Sequence, residues 1–404
     1  MNSFEEIAER ERHFLLPTYN RYPLAIARGK GVFVYDYDGR RYLDFIAGLG
    51  VNALGYSHPR IVKTIRQQAA ELIHISNLFY NEHQGRLGEK LCQLSGMSRA
   101  FFSNSGTEAM EGALKLARAA CVGTADKGNI VAVEGSFHGR TFGALSMTGQ
   151  EKYRKGFEPL LGKVKFVPLN DAAALRDAVD SSVCAIVLEP IQGEGGIRAC
   201  STEFLQAARA AADTHGAVLI FDEIQCGLGR TGHMFAFQHF GVTPDVVTVA
   251  KPLAAGLPLG AFLVREPFGN VLSAGKHGTT FGGGPLTCRV ALEFLKIIED
   301  ENLLERVRSV GSYLHQELSA LAERFDVAVA ARGVGLMQAL ELNIPARPLV
   351  EAALDEGVLF NATQETVLRF LPPFVLEEKH VDKGIRVLRK LLKRPQSTRA
   401  ASGT

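Results

Sequence analysis

The chain has 404 residues, with 45 Lys and Arg against 43 Asp and Glu and a formal net charge of +2. That balance provides no basic field for nucleic acid, while 46% hydrophobic and 22% charged residues exclude a disordered chain and indicate a globular one. The length exceeds a single core, so at least two lobes are expected.

The first ten residues, Met1 to Arg10, are charged and acidic where a leader would need an apolar stretch. No apolar run approaches a bilayer span, so a cytoplasmic protein without membrane contact is expected. Cys92, Cys121, Cys184, Cys200, Cys226 and Cys288 form no CxxC pair and read as reduced thiols, with neither disulfides nor a metal site expected.

In chain order, Val32-Phe-Val-Tyr-Asp-Tyr37 and Arg40-Arg-Tyr-Leu-Asp-Phe45 flank Asp38-Gly39, a two-residue hairpin signal. Pro59 opens a helical stretch with Ile61, Ile65, Ala69 and Leu72 or Ile73 on one face. From about residue 99, short apolar strands alternate with helices. The strands begin at Ala100–Phe102, Ile130–Val133, Val164–Val167 and Val183–Leu188, and continue at Ala217–Phe221, Asp245–Ala250 and Leu259–Val264. Several are apolar at consecutive positions, as strands covered on both faces must be. A helix from Thr202 to His215 closes on Gly216. The pattern predicts an α/β fold, a large, mostly parallel sheet flanked by helices. After residue 290, helical pattern and the stretches Val327–Ala330 and Val367–Leu371 predict a smaller α+β lobe. The expected units are an N-terminal segment over 1–58 contacting the small lobe or a partner subunit, a large domain over 59–290, a small domain over 291–393, and a frayed tail over 394–404.

Polar and glycine-rich clusters fall just beyond the carboxyl ends of these strands, where open α/β sheets bind ligands. Ser105-Gly106-Thr107 opens a helix running from Glu108 to Cys121. Its amides and the threonine hydroxyl suit a phosphate monoester, with ordinary N-capping by Thr107 as the plainer alternative. Phe137, in a glycine-flanked loop, can lie on an aromatic ring or simply fill the core. Arg140 in the same loop can hold a carboxylate or face solvent.

Two residues carry the most chemistry. Asp222 ends one apolar run and Lys251 ends the next. A lysine there is costly unless its amine is wanted desolvated and nucleophilic, and a carboxylate beside it suits a cationic ring nitrogen. Pyridoxal phosphate requires both. A buried Lys–Asp bridge of no chemical consequence is the alternative that the pair alone leaves open. Gln225, three residues after Asp222, can bond the cofactor's phenolic oxygen or cap the strand end. The loop His277-Gly-Thr-Thr-Phe-Gly-Gly-Gly-Pro285 offers the hydroxyls of Thr279 and Thr280, although many glycine loops bind nothing. Arg369, inside the apolar stretch Leu368–Pro373, needs an anionic partner, for which Glu194 is the internal candidate.

Together Asn104-Ser-Gly-Thr-Glu-Ala109, Ser136-Phe-His-Gly-Arg-Thr141, Glu189-Pro-Ile-Gln-Gly-Glu-Gly195, Phe221 to Gly232, Ala250-Lys251 and Thr279-Thr-Phe-Gly-Gly283 resemble the subgroup III, fold type I pyridoxal-phosphate aminotransferases. The resemblance runs from about Pro17 to about Pro373. Within that family Pro17–Leu24, Gly50–Gly55 and Ser76–Asn81 are most similar to the branch acting on the ω-amine of N-acetylornithine. The resemblance implies that Ser105, Gly106 and Thr107 bind the phosphate, and that Phe137 stacks on the ring. Asp222 pairs with the ring nitrogen, Gln225 with the phenolic oxygen, and Lys251 bonds covalently to the cofactor. Thr280 reaches the cofactor phosphate of a neighbouring subunit, while Thr279 and Arg140 stand at the substrate. Arg369 takes the α-carboxylate of glutamate, and Glu194 masks it when the ω-amino substrate is bound. The chain departs from the family pattern at Gly284, where asparagine is usual, and in the Pro-Leu-Ala-Ala that follows Lys251.

The implied activity is a ping-pong transamination between N-acetylornithine and 2-oxoglutarate, with glutamate as the other amino compound, in a homodimer with shared active sites. Other ω-amino substrates (ornithine, succinylornithine, 4-aminobutyrate, a carrier-linked lysine), an aminomutase, or a catalytically dead binding protein remain open on sequence alone.

Overall fold

The computed structural model describes residues 4–124 and 127–393. The 394–404 segment, expected to fray, lies outside the described residues. Its centre is a seven-stranded sheet in the order Arg99–Ser103, Gly260–Val264, Val246–Val249, Val218–Asp222, Val183–Leu188, Asn129–Val133, Val164–Val167. Every residue of Val183–Leu188, Val218–Asp222, Val246–Val249 and Gly260–Val264 is buried. This is the two-sided burial that their largely apolar, non-alternating runs predict.

The sheet is parallel except at Gly260–Val264, which runs antiparallel to both of its neighbours. The connection explains the reversal. A parallel return needs a crossover of about a dozen residues or more, and the short link here holds only the 3₁₀ turn Lys251–Ala254 and a tight bend. Lys251 stands just past the carboxyl end of Val246–Val249, three residues beyond Thr248, the residue paired with Asp222.

The helix Thr202–His215 matches its expected limits. Ser201 Oγ accepts the amide of Phe204 at 3.1 Å, and Gly216, at φ 65°, closes the other end. The helix from Pro59 ends at Glu71, with Ile61, Thr64 and Gln68 as its buried face. Ala69, Leu72 and Ile73 were expected on that face and are instead exposed. Gln68 takes the buried position because its amide is satisfied, donating to Leu72 O at 2.8 Å and accepting from Arg289 at 2.8 Å.

The hairpin at Asp38-Gly39 has three loop residues rather than two. Asp36 N donates to Arg40 O, Gly39 N donates to Asp36 O, and Gly39 sits at φ 83°. The Asp36 carboxylate also accepts the amide of Arg40 at 2.8 Å, which favours the longer turn. The hairpin strands Phe33–Asp36 and Arg41–Asp44 join a sheet whose far edge is Val358–Leu359, so chain start and chain end are paired directly.

A second four-stranded sheet, Ala328–Val334, Met337–Leu342, Val367–Phe370 and Asn361–Thr363, is antiparallel throughout. Arg230 ties the large sheet region to it. Fully buried, it donates to the carbonyls of Leu336 and Pro372 and lies 4.6 Å from the Phe374 ring centroid. Among the described residues no helix is long and apolar enough to cross a membrane.

Candidate active site

A cavity of about 440 Å³ opens at the carboxyl edge of the large sheet. Ser105, Gly106, Thr107, Phe137, Arg140, Glu194, Asp222, Gln225 and Lys251 all line it. Asn104, His138, Glu189 and Ile224, for which the residue pattern suggests no role, line it as well.

One end is the start of the helix Gly106–Ala120. Ser105 is the N-cap, accepting the Glu108 amide at 3.3 Å, so the expected alternative of capping by Thr107 does not hold. The Thr107 hydroxyl is engaged elsewhere. It accepts the amides of Arg140 at 3.2 Å and Thr141 at 3.3 Å, and shares a 2.9 Å bond with Thr141 Oγ1. This contact requires glycine at 139, where a Cβ would stand 2.2 Å from Thr107 Oγ1. The first-turn amides of Gly106 and Thr107, which have no intrahelical acceptor, are therefore the donors left for an anion.

Asp222, 3% exposed, closes the cavity floor. One carboxylate oxygen is 2.8 Å from His138 Nδ1, and the other accepts the Ile224 amide at 3.0 Å. The other ring nitrogen of His138 is buried without a hydrogen-bond partner. Among the described residues the Lys251 amine has no hydrogen-bonded partner. Burial pushes its amine below the ordinary lysine range, with Glu194 acting in the opposite direction and Arg369 reinforcing the shift. Glu189 follows a fully buried strand, the same signal that marks Asp222 and one that would have found it. Its carboxylate accepts the amides of Phe137 at 2.9 Å and Gly193 at 3.1 Å, and burial and then the charge of Asp222 push its pKa up.

Arg369, 2% exposed, stands behind the cavity. It donates to Glu194 at 2.6 Å, to Gln225 at 3.3 Å, and twice to Asn361 Oδ1, at 2.9 and 2.7 Å. Burial works against ionisation of Glu194, but the charge and hydrogen bond of Arg369 outweigh it and hold the carboxyl low. Arg140 is exposed, 4.3 Å from the Tyr153 ring centroid and 5.5 Å from that of Phe137.

Thr279 and Thr280 do not enter this cavity. Both line a separate hollow with Ser76, Asn77 and Phe102. Thr279 Oγ1 accepts from Asn104 Nδ2 at 3.2 Å, so it reaches the site only through Asn104, and Thr280 is exposed.

The family model for aminotransferase class-III matches residues 16–392. The chain belongs to the class-III aminotransferases, and its cofactor is pyridoxal 5′-phosphate. It is 46% identical over 388 residues to an acetylornithine aminotransferase of Methanocaldococcus jannaschii, covering 96% of this chain and 98% of that one. The crystal structure of ornithine aminotransferase from Toxoplasma gondii ME49 superposes with a TM-score of 0.93 at 32% identity, covering 97% and 95% of the two chains. An acetylornithine aminotransferase from Elizabethkingia anophelis superposes at 0.87 with 31% identity, covering 97% and 99%.

The donor set fits the cofactor. Its lining combines the helix-start residues Gly106 and Thr107, the buried carboxylate of Asp222, aromatic Phe137, apolar Ile224, and a lysine whose amine has no hydrogen-bonded partner among the described residues. Glycines keep the space open. A Cβ on Gly106 would lie 2.7 Å from Ile224 Cδ1, and one on Gly193 would lie 2.1 Å from Gln225 Oε1.

Proposed function

We propose that this chain transfers the ω-amino group of N-acetylornithine to 2-oxoglutarate, forming glutamate, within arginine biosynthesis, and that it works as a cytoplasmic homodimer. The observation that carries this reading is the ion pair of Arg369 with Glu194, a buried cation whose partner can give way to a substrate carboxylate. A single cavity must take two amino compounds, one reacting at its α-amine and one at its far end. The first needs a carboxylate anchor close to Lys251, the role of Arg369. The second needs that anchor neutralised, the role of Glu194, and a more distant one, the role of Arg140 with Thr279. The names of the M. jannaschii and E. anophelis relatives support the choice of substrate.

When bound, the cofactor supplies an electron sink for the carbanion formed at the amine-bearing carbon. The amides of Gly106 and Thr107, with Ser105 as the cap that orients them, hold its phosphate. Phe137 packs on its ring, Asp222 keeps the ring nitrogen protonated, and Gln225 binds the phenolic oxygen. Lys251 would hold it covalently, and its Nζ would move a proton to and from the substrate carbon. The free thiols, five buried and one partly so, suit a reducing cytoplasm.

Steady-state assays with 2-oxoglutarate and a panel of N-acetylornithine, ornithine, N-succinylornithine and 4-aminobutyrate test the substrate. N-acetylornithine is expected to lead unacylated ornithine in kcat/KM by about 10-fold or more, the scale of a small pocket contact. Preference for ornithine or 4-aminobutyrate would overturn the choice. Turnover without any 2-oxo acid would indicate an aminomutase.

The dimer is supported by a surface that otherwise lies in water. Leu78, Phe79 and Tyr80 are exposed, Tyr80 completely, as are Ile73 and Phe281. Asn77 Nδ2 donates to the carbonyls of Thr279 and Gly282, so this apolar segment and the Thr280 loop form one unit. A second copy of the chain covers it, and Thr280 then serves the partner's phosphate site. Lys251→Ala and Thr280→Ala chains, each nearly inactive alone, are expected to regain activity when mixed. One of the two sites in the heterodimer combines an intact lysine with an intact partner threonine. Verified heterodimers without rescue would count against shared sites.

A further inference from the structure

Glu194 sits in Gly193-Glu-Gly-Gly196, a stretch that would be pliant by composition. Its backbone is instead held at three successive points. The Gly193 amide is taken by Glu189, and the Gly196 carbonyl accepts from Arg332 Nε at 2.8 Å. Between them the carbonyl of Glu194 itself accepts two bonds, from Gln364 Nε2 at 2.5 Å and Thr363 Oγ1 at 3.1 Å.

The donors are consecutive: Thr363 ends the strand Asn361–Thr363, and Gln364 opens the turn that links it to Val367–Phe370. This turn carries two successive non-glycine residues in the left-handed region, Gln364 at φ 48° and Glu365 at φ 59°. Such a conformation is unfavourable for side chains of this kind and persists only where the surroundings enforce it. Here the Glu365 carbonyl accepts from Ala346 N at 2.8 Å, and Gln364 Nε2 makes a further 2.8 Å bond to Gln150. The same hairpin carries Arg369 and the Asn361 that orients it. One small unit thus fixes the cation and the backbone of its mask.

We infer that Gln364, with Thr363, is a positioning and specificity-determining pair: by holding the Glu194 carbonyl it limits unmasking of Arg369 to rotation of the Glu194 side chain and sets how strongly a dicarboxylate must compete for that arginine. This rests on the reading of Arg369 as the carboxylate anchor. Without the two donors, the glycine-flanked backbone can drift and Glu194 meets Arg369 less often. A dicarboxylate should then bind more tightly, and the distinction between the two substrate classes should narrow.

The test uses glutarate, a five-carbon dicarboxylate with no carbonyl or amine to react, titrated calorimetrically into the cofactor-loaded enzyme. Glu194→Ala is expected to tighten glutarate binding. Gln364→Ala should tighten it by about two- to tenfold, the range of one net hydrogen bond, and the double variant should match Glu194→Ala alone. The KM for 2-oxoglutarate should fall in Gln364→Ala while that for the ω-amino donor does not. Unchanged or weaker glutarate binding in Gln364→Ala, or an effect that adds to that of Glu194→Ala, would overturn the inference. If Glu194→Ala itself fails to tighten binding, the anchor reading fails and the inference with it. Thr363→Val removes the other donor without touching a left-handed residue. Should Gln364→Ala lose its cooperative thermal transition, Thr363→Val decides, and unchanged glutarate affinity there overturns the inference.

Discussion

Lys251→Ala should abolish steady-state transamination, with a loss of about four orders of magnitude or more, while the protein still binds its cofactor. Among the described residues the lysine amine has no hydrogen-bonded partner, and burial holds it below its ordinary range, so a larger fraction is neutral and nucleophilic than on the surface. In the proposed role, methyl replacement removes the covalent anchor and the group that moves the proton, and general acid–base catalysis alone accounts for about 10²–10⁴ in rate. Retention of cofactor follows because the helix-start amides and Asp222 lie on other elements. Absorption spectroscopy provides the check. The long-wavelength band of the lysine-linked cofactor should vanish while cofactor still elutes with the protein. A variant with near wild-type turnover would remove Lys251 from the mechanism.

Asp222→Asn should slow the half-reaction with glutamate by up to about three orders of magnitude. At about 4 Å and an effective dielectric near 20, a carboxylate and a ring cation attract by roughly 4 kcal/mol, and each 1.4 kcal/mol is about a factor of ten in rate. The surroundings of this carboxylate add to the effect. One oxygen accepts the Ile224 amide, so an asparagine would keep its own oxygen there and turn its NH₂ toward His138 Nδ1. His138 would then have to accept at Nδ1 and carry its proton on Nε2, which is buried without a hydrogen-bond partner. Stopped-flow measurement of the single half-reaction isolates this step. A loss of only a few-fold would place the ring-nitrogen partner elsewhere.

These two positions were legible in the sequence because each follows a largely apolar run, with Thr248 alone interrupting Val246–Ala250, and a charged residue there must meet either a ligand or a partner. The seven strands of the large sheet and the α/β class followed from the same local signal, the length and spacing of apolar segments, whereas Met337–Leu342 and Asn361–Thr363 of the smaller sheet did not. The family was legible through ordered motifs spread over nearly the whole chain, a signal of similarity rather than of local physics. Periodicity was less informative where polar side chains fill core positions. It placed Ala69 and Leu72 inside and missed Gln68, whose burial depends on Arg289, far away in the chain.

Only the tertiary structure decided how the chemical groups are partnered. His138 meets Asp222 across 84 positions, Arg369 meets Glu194 across 175, and the Gln364 amide meets the Glu194 carbonyl across 170. It also engaged the Thr107 hydroxyl within its own protein and left Thr280 on the exterior beside an uncovered apolar segment. The reason is physical. Burial preference and strand or helix period are properties of a few consecutive residues, so the sequence by itself determined the sheet, its ligand-binding edge and the residues at that edge. A hydrogen bond depends on angles and on separations of about 3 Å, and these exist only once crossovers, the reversed strand Gly260–Val264 and the returning hairpin Asn361–Phe370 have brought distant segments together.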